Sequence, residues 1–80
     1  MNFAVYSKEG CPYCEKIKKV LELTKTSYVV YNLGEHFDKK SFYDEFGDES
    51  TLPQVIVDGQ KLGGCIESIK FLKEKKVINV

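Results

Sequence analysis

Two thiols lie three positions apart in Gly10-Cys11-Pro12-Tyr13-Cys14, with a proline between them and a helical pattern directly after. A chain that turns into a helix here aims unpaired backbone N–H groups, and the positive end of the helix dipole, at the first sulfur. That field favours thiolate over thiol. A free cysteine has a pKa of about 8.5, whereas a Cys-X-X-Cys at a helix start falls to about 3.5–7.5. The thiolate is the nucleophile of disulfide exchange, and a second thiol this close can resolve the mixed disulfide that forms. Pro12 suits the first helical position because it has no N–H to lose. The same spacing is half of a structural zinc site, but such sites draw on four Cys or His ligands, commonly as two close pairs. The chain has three cysteines and one histidine. Cys65 stands alone and His36 sits in a polar stretch, so no metal is expected.

The elements that must position these thiols follow from periodicity. Phe3-Ala4-Val5-Tyr6 is short, apolar and rich in strand formers, and reads as a buried strand. From Tyr13 to about Lys25 the period changes: Ile17, Val20, Leu21 and Thr24 fall on one helical face. At about 100° per residue, Cys14 projects near that stripe and Cys11 does not. Cys11 is therefore expected outside and attacking, Cys14 inside and resolving. Tyr28-Val29-Val30-Tyr31-Asn32 reads as a second strand. Asp38 is the expected N-cap of a second helix, with Phe37 and Phe42 placed as a hydrophobic staple and Gly47 as its stop. Its apolar side carries Phe42, Tyr43 and Phe46.

The second half changes pattern. Thr51-Leu52-Pro53 leads into a strand at Gln54-Val55-Ile56-Val57, and Asp58-Gly59 is a strong hairpin signal before Lys61-Leu62-Gly63. A last helix is expected from Cys65 to about Lys76, with Ile66, Ile69 and Leu72 inward. Lys70, Lys73, Lys75 and Lys76 collect near its C-terminal end, where the dipole favours cations. Strand–helix–strand–helix, then a hairpin and a helix, with a Cys-X-X-Cys after the first strand, is the thioredoxin-like arrangement. The expected fold class is α/β: a four-stranded mixed sheet flanked by three helices.

A chain of 80 residues makes one small domain with a single modest core. Apolar content of 42% beside 30% charged residues is ordinary for a globular chain. Twelve acidic and twelve basic residues cancel, so net charge gives no reason to expect nucleic acid or an anionic membrane. No apolar run approaches a membrane span. Met1 to Val5 lacks the basic start and long apolar middle of a secretory signal, so a cytoplasmic setting is expected. In a reducing compartment a Cys-X-X-Cys is catalytic or metal-binding rather than structural.

Two further stretches bear on the thiols. Pro53 opens a strand, where a missing N–H is tolerated. A cis bond there would turn the Leu52 backbone toward Cys11, where a bound peptide could pair with it as an added strand. Gly63-Gly64 before a helix permits a close backbone approach, with the bare helix start holding a carboxylate, as a small anionic thiol requires.

Cys11-Pro12-Tyr13-Cys14, Thr51-Leu52-Pro53 and Gly63-Gly64-Cys65, at these separations, resemble the dithiol glutaredoxins over essentially the whole chain. Thioredoxins typically carry Trp-Cys-Gly-Pro-Cys, and this chain has no tryptophan. The resemblance implies one glutaredoxin domain over residues 1–80, acting as a monomer with glutathione as co-substrate. Cys11 would take up the glutathionyl group from a mixed disulfide. A second glutathione would release it, or Cys14 would displace it and leave a Cys11–Cys14 disulfide. Glutathione reductase and NADPH would stand upstream, and glutathionylated or disulfide-bonded proteins, ribonucleotide reductase among them, would be the partners.

The resemblance also assigns a binding set. Lys8 would favour the thiolate and meet the glycine carboxylate of glutathione, Tyr13 would lie against the tripeptide, and Lys40 would offer a second carboxylate contact. Thr51 borders the groove, Leu52 acts through its backbone, and Pro53 holds that backbone in place. Gly64 leaves room, the N–H groups of Cys65 and Ile66 would hold the γ-glutamyl carboxylate, and Glu67 would reach its amine. The family commonly has arginine where this chain has Ser50, and a small polar residue and aspartate where it has Ile66 and Glu67. Glutathione affinity weaker than that of a typical member is therefore expected. The competing readings are an electron donor dedicated to one reductase, and a carrier of a glutathione-ligated [2Fe–2S] cluster, which Pro12 and Tyr13 would crowd.

Overall fold

Phe3, Val5 and Ser7 share one face of the first strand, β1 (Phe3–Ser7), and all three are buried. The computed structural model describes residues 2–75. After β1 come α1 (Pro12–Leu23), β2 (Tyr28–Asn32), α2 (Lys39–Phe46), β3 (Gln54–Val57), β4 (Gln60–Gly63) and α3 (Cys65–Glu74). The strands form one sheet in the order β2-β1-β3-β4. β1 pairs with β2 in parallel, Phe3 opposite Tyr28 and Ser7 opposite Asn32, and the β1–β3 and β3–β4 pairs are antiparallel. A parallel pair needs a crossover, which α1 supplies, whereas the antiparallel pair needs only a turn. Asp58 and Gly59 make that turn with φ of 48° and 86°, the doubly left-handed geometry that the Asp-Gly pair favours.

The core lies on the face that α1 and α3 cover. Phe3, Val5, Val55 and Val57 from the sheet meet Ile17 and Leu21 of α1 and Cys65 and Leu72 of α3. The opposite face is aromatic. Tyr6 packs against Phe37 and Phe46 at ring-centroid distances of 5.2 and 5.0 Å, and Phe42 against Phe46 at 5.0 Å. The start of α2 is held as expected: Asp38 accepts from the Ser41 N–H at 2.8 Å, and the Phe37 and Phe42 rings stand 5.9 Å apart. The cap bond holds the Asp38 carboxyl below its ordinary pKa.

Boundaries differ from expectation in four elements, β4 among them, which starts at Gln60 rather than Lys61. β1 extends one residue further, to Ser7, and α1 ends at Leu23, with Thr24 capping it and Lys25 left-handed at φ 54°. α3 ends at Glu74 with Lys75 as its C-cap; the expected last residue, Lys76, and the lysine cluster's fourth member with it, lie outside the described residues. Its inward stripe is Cys65, Ser68 and Leu72, so Ile66 points outward and is 70% exposed. A helix that buries positions 65, 68 and 72 turns position 66 at least about 100° away from each of them.

Candidate functional site

α1 begins with the reactive pair. Cys11 is its N-cap in extended conformation, Pro12 is at the first helical position, and the Cys14 N–H donates to Cys11 Sγ at 3.2 Å. The sulfur thus takes the acceptor role that a serine or aspartate oxygen fills at other helix starts. As a thiolate it would accept that bond charge-assisted, at the positive end of the dipole, and both effects lower its pKa. The structure holds the pair as a Cys11–Cys14 disulfide, with Cα atoms 5.2 Å apart. Cys14 is fully buried and Cys11 retains 6% exposure. Cys11 is thus the more open of the two, but it is itself buried, whereas its place off the helical stripe led to the expectation of an outside position. The Leu52 carbonyl oxygen lies 3.9 Å from Cys11 Sγ, within reach of a reduced thiol's S–H.

The Leu52–Pro53 bond is cis. From Leu52 a shallow groove of about 230 Å³ runs to the start of α3, lined by Tyr13, Thr51, Leu52, Pro53, Gly64, Cys65, Ile66 and Glu67. Eight residues singled out in the sequence, from three separate stretches, therefore meet on one surface beside the disulfide. Tyr13, 57% exposed, and Ile66 form its apolar rim.

Lys8 borders the neighbouring cleft, which shares Thr51 and Leu52 with the groove and is completed by Lys39, Phe42, Tyr43 and Ser50. The structure does not bring Lys40 there. Its ammonium pairs with Asp44 at 3.6 Å on the exposed side of α2. Lys39, one position earlier, lines that cleft with Lys8 instead. The Asp38 cap was the signal that could have found it, since a cap at 38 makes Lys39 the first helical residue. Ser50, which replaces an expected arginine, is engaged within the fold: its Oγ donates to the Phe46 carbonyl at 2.5 Å and closes the end of α2. His36 Nδ1 accepts the Asn32 N–H at 2.9 Å, a structural role that suits a loop residue.

The Gly63-Gly64 corner is occupied by a side chain of the chain itself. Glu67 folds back so that its Oε1 accepts the Gly64 N–H at 2.8 Å, the acidic half of a capping box. A Cβ on Gly63, where φ is 111°, would stand 3.1 Å from Glu67 Cγ, and one on Gly64 would stand 3.2 Å from Oε1. The two glycines therefore admit Glu67 at the place where a close approach to a ligand was expected.

Cys65, the first residue of α3, is buried at the groove floor. Burial pushes its thiol pKa up, Lys16 opposes this and Glu67 adds to it. A raised value keeps the thiol protonated at neutral pH, and the stability it contributes is lost only as pH rises through the folded-state value. In the reduced protein at neutral pH, Cys65 should therefore alkylate slower than Cys11 by on the order of tenfold or more. Mass mapping of a timed alkylation measures this, and equal rates would contradict the burial argument. Among the described residues, no group of three or more His, Cys, Asp or Glu is placed to hold a metal ion, and no helix is long and apolar enough to cross a membrane.

Comparison with known proteins agrees with this geometry. Residues 3–62 match the family model described as Glutaredoxin. Glutaredoxin 1 of Rickettsia prowazekii is 33% identical over 76 residues, covering 91% of this chain and 79% of that protein. Among solved structures, glutaredoxin 1 from Francisella tularensis, complexed with cacodylate, superposes with a TM-score of 0.78 at 26% identity, covering 95% of both chains. A buckwheat glutaredoxin–glutathione complex gives a TM-score of 0.78 at 25% identity, covering 94% of this chain and 71% of that one.

Proposed function

The chain belongs to the glutaredoxin family, and on that premise we propose that it is a glutathione-dependent thiol–disulfide oxidoreductase working through Cys11 and Cys14. Thiol–disulfide exchange is the chemistry of the family. The observation that carries the assignment to this site is the position of Cys11 Sγ: it caps α1 and lies 3.9 Å from the carbonyl of Leu52, a residue that lines the groove.

The steps follow from the residues. The Cys11 thiolate attacks the glutathione sulfur of a mixed disulfide, the protein thiolate leaves, and Cys11 carries the glutathionyl group. A second glutathione thiolate then takes that group as oxidised glutathione. Alternatively Cys14 displaces it, leaving the intramolecular disulfide. Glutathione lies along the groove against Tyr13, its backbone pairing with Leu52 between Thr51 and Pro53. Its γ-glutamyl carboxylate meets the N–H groups of Cys65 and Ile66, beside Gly64. Its glycine carboxylate points to the Lys8 cleft, where Lys39 rather than Lys40 is the second ammonium. The buckwheat relative, solved with glutathione, supports this choice of ligand. The acceptors are glutathionylated and disulfide-bonded proteins, and residues 1–80 act as one monomeric domain.

Supplied with NADPH, glutathione and glutathione reductase, the protein should turn over a small glutathione mixed disulfide; no turnover would overturn the assignment. A donor dedicated to one acceptor, such as ribonucleotide reductase, would draw instead on thioredoxin reductase in a parallel assay.

Glu67 sets the expected affinity. Its carboxylate is committed to Gly64, and a ligand amine must draw it away, while Ile66 offers no hydroxyl. Glu67→Asp and Ile66→Ser should each tighten glutathione binding by about threefold to tenfold, the worth of one hydrogen bond. Calorimetry measures this; no gain from either would contradict the proposed placement.

A further inference from the structure

Ser7 ends β1 on the face shared by Phe3 and Val5, and it is fully buried. Its Oγ is a buried side-chain polar atom without a hydrogen-bond partner among the described residues. An orphaned buried hydroxyl is costly, and alanine would fill the position without that cost. Such an atom calls for an explanation.

The topology supplies a candidate partner. β1 runs toward the redox pair and α1 runs back from it. Ile17 and Leu21 pack with Phe3 and Val5 in one core, and α1 runs opposite to β1, so Cys14, about one turn before Ile17, lies toward the end of β1 that carries Ser7. Cys14 is fully buried as well. In the disulfide its sulfur is held by Cys11. We propose that Ser7 is a positioning residue for Cys14, its hydroxyl donating to the Cys14 sulfur once the disulfide opens.

The step balances. A thiolate of the reductant attacks Cys11 Sγ, a new S–S bond forms there, and the Cys11–Cys14 bond breaks with its electron pair going to Cys14 Sγ. That sulfur emerges as a buried thiolate, an expensive species in an apolar site unless a donor faces it. Ser7 is that donor, and its hydroxyl remains the sulfur's hydrogen-bond partner once the sulfur takes a proton. A second reductant thiolate then displaces Cys11, so two thiols are oxidised to one disulfide while Cys11–Cys14 is reduced to two thiols. Ser7 is orphaned in the oxidised form and partnered in the reduced form, so it favours reduction.

The inference rests on Cys11 and Cys14 being a redox couple, and not on glutathione being their reductant. The test is therefore equilibration of the parent protein, Ser7→Ala and Ser7→Thr in dithiothreitol redox buffers, with the oxidised fraction read by alkylation and mass. Ser7→Ala should shift the equilibrium about tenfold toward the disulfide, which for a two-electron couple is about 30 mV more negative. Ser7→Thr keeps the hydroxyl and should stay within about twofold of the parent. An unshifted Ser7→Ala, or equal shifts in both variants, overturns the inference while leaving the redox couple intact. A parent pair that never equilibrates overturns the couple itself.

Discussion

Cys11→Ser should abolish turnover of a glutathione mixed disulfide, with a loss on the order of a thousandfold or more, because the hydroxyl cannot ionise at neutral pH to replace the thiolate nucleophile. Cys14→Ser should behave differently. Deglutathionylation needs only Cys11 and a second glutathione, so it should persist within a few-fold of the parent rate, whereas reduction of a protein disulfide should fall by on the order of a hundredfold or more for lack of the resolving thiol. The asymmetry follows from placement: Cys11 adjoins the groove and caps α1, and Cys14 is fully buried beneath it. Assaying both variants on both substrates decides the matter. Substantial mixed-disulfide turnover by Cys11→Ser, or equal loss of both activities in Cys14→Ser, would contradict these roles.

The second large effect concerns stability. Leu21 is fully buried and, with Ile17, ties α1 to the sheet. Leu21→Ala should cost about 2–5 kcal/mol, the range for a buried leucine that leaves a cavity. A domain of 80 residues has about 4–12 kcal/mol in all, so the variant should lie near the edge of folding. Since α1 carries both thiols, the loosened helix should also expose Cys14 to alkylation in the reduced protein. Urea unfolding measures the first effect and mass mapping the second. A loss below about 1 kcal/mol would mean that the helix is anchored elsewhere.

Much of this arrangement was legible in the sequence, because its signals are local. The short apolar run Phe3–Tyr6, the Asp38 cap with its Phe37/Phe42 staple, and the Asp58-Gly59 turn each encode their own geometry within a few residues. The groove was legible for another reason: Cys-Pro-Tyr-Cys, Thr-Leu-Pro and Gly-Gly-Cys carry a family resemblance, and the sheet order then brings their residues together. What escaped were features set by tertiary contact or by a one-residue phase. Ile66 looked inward because apolar residues recur at 66, 69 and 72, yet the buried stripe runs through Cys65 and Ser68, small residues with a weak apolar signal. Lys39 and Lys40 differ only in helical phase. The burial of Cys11, expected outside, escaped as well, although the Leu52 backbone lies beside it as expected. The back-folded Glu67 gave a partial signal, since glutamate at the third helical position is half of a capping box.

The account depends on an ionised Cys11. The most direct measurement is titration of its thiolate by ultraviolet absorbance in the reduced protein, with Cys14→Ser beside it to assign the transition. A sulfur that caps a helix start should titrate below a free cysteine, well clear of the buried Cys65, whose thiol burial pushes up. A transition near the free-cysteine value of about 8.5 would contradict it.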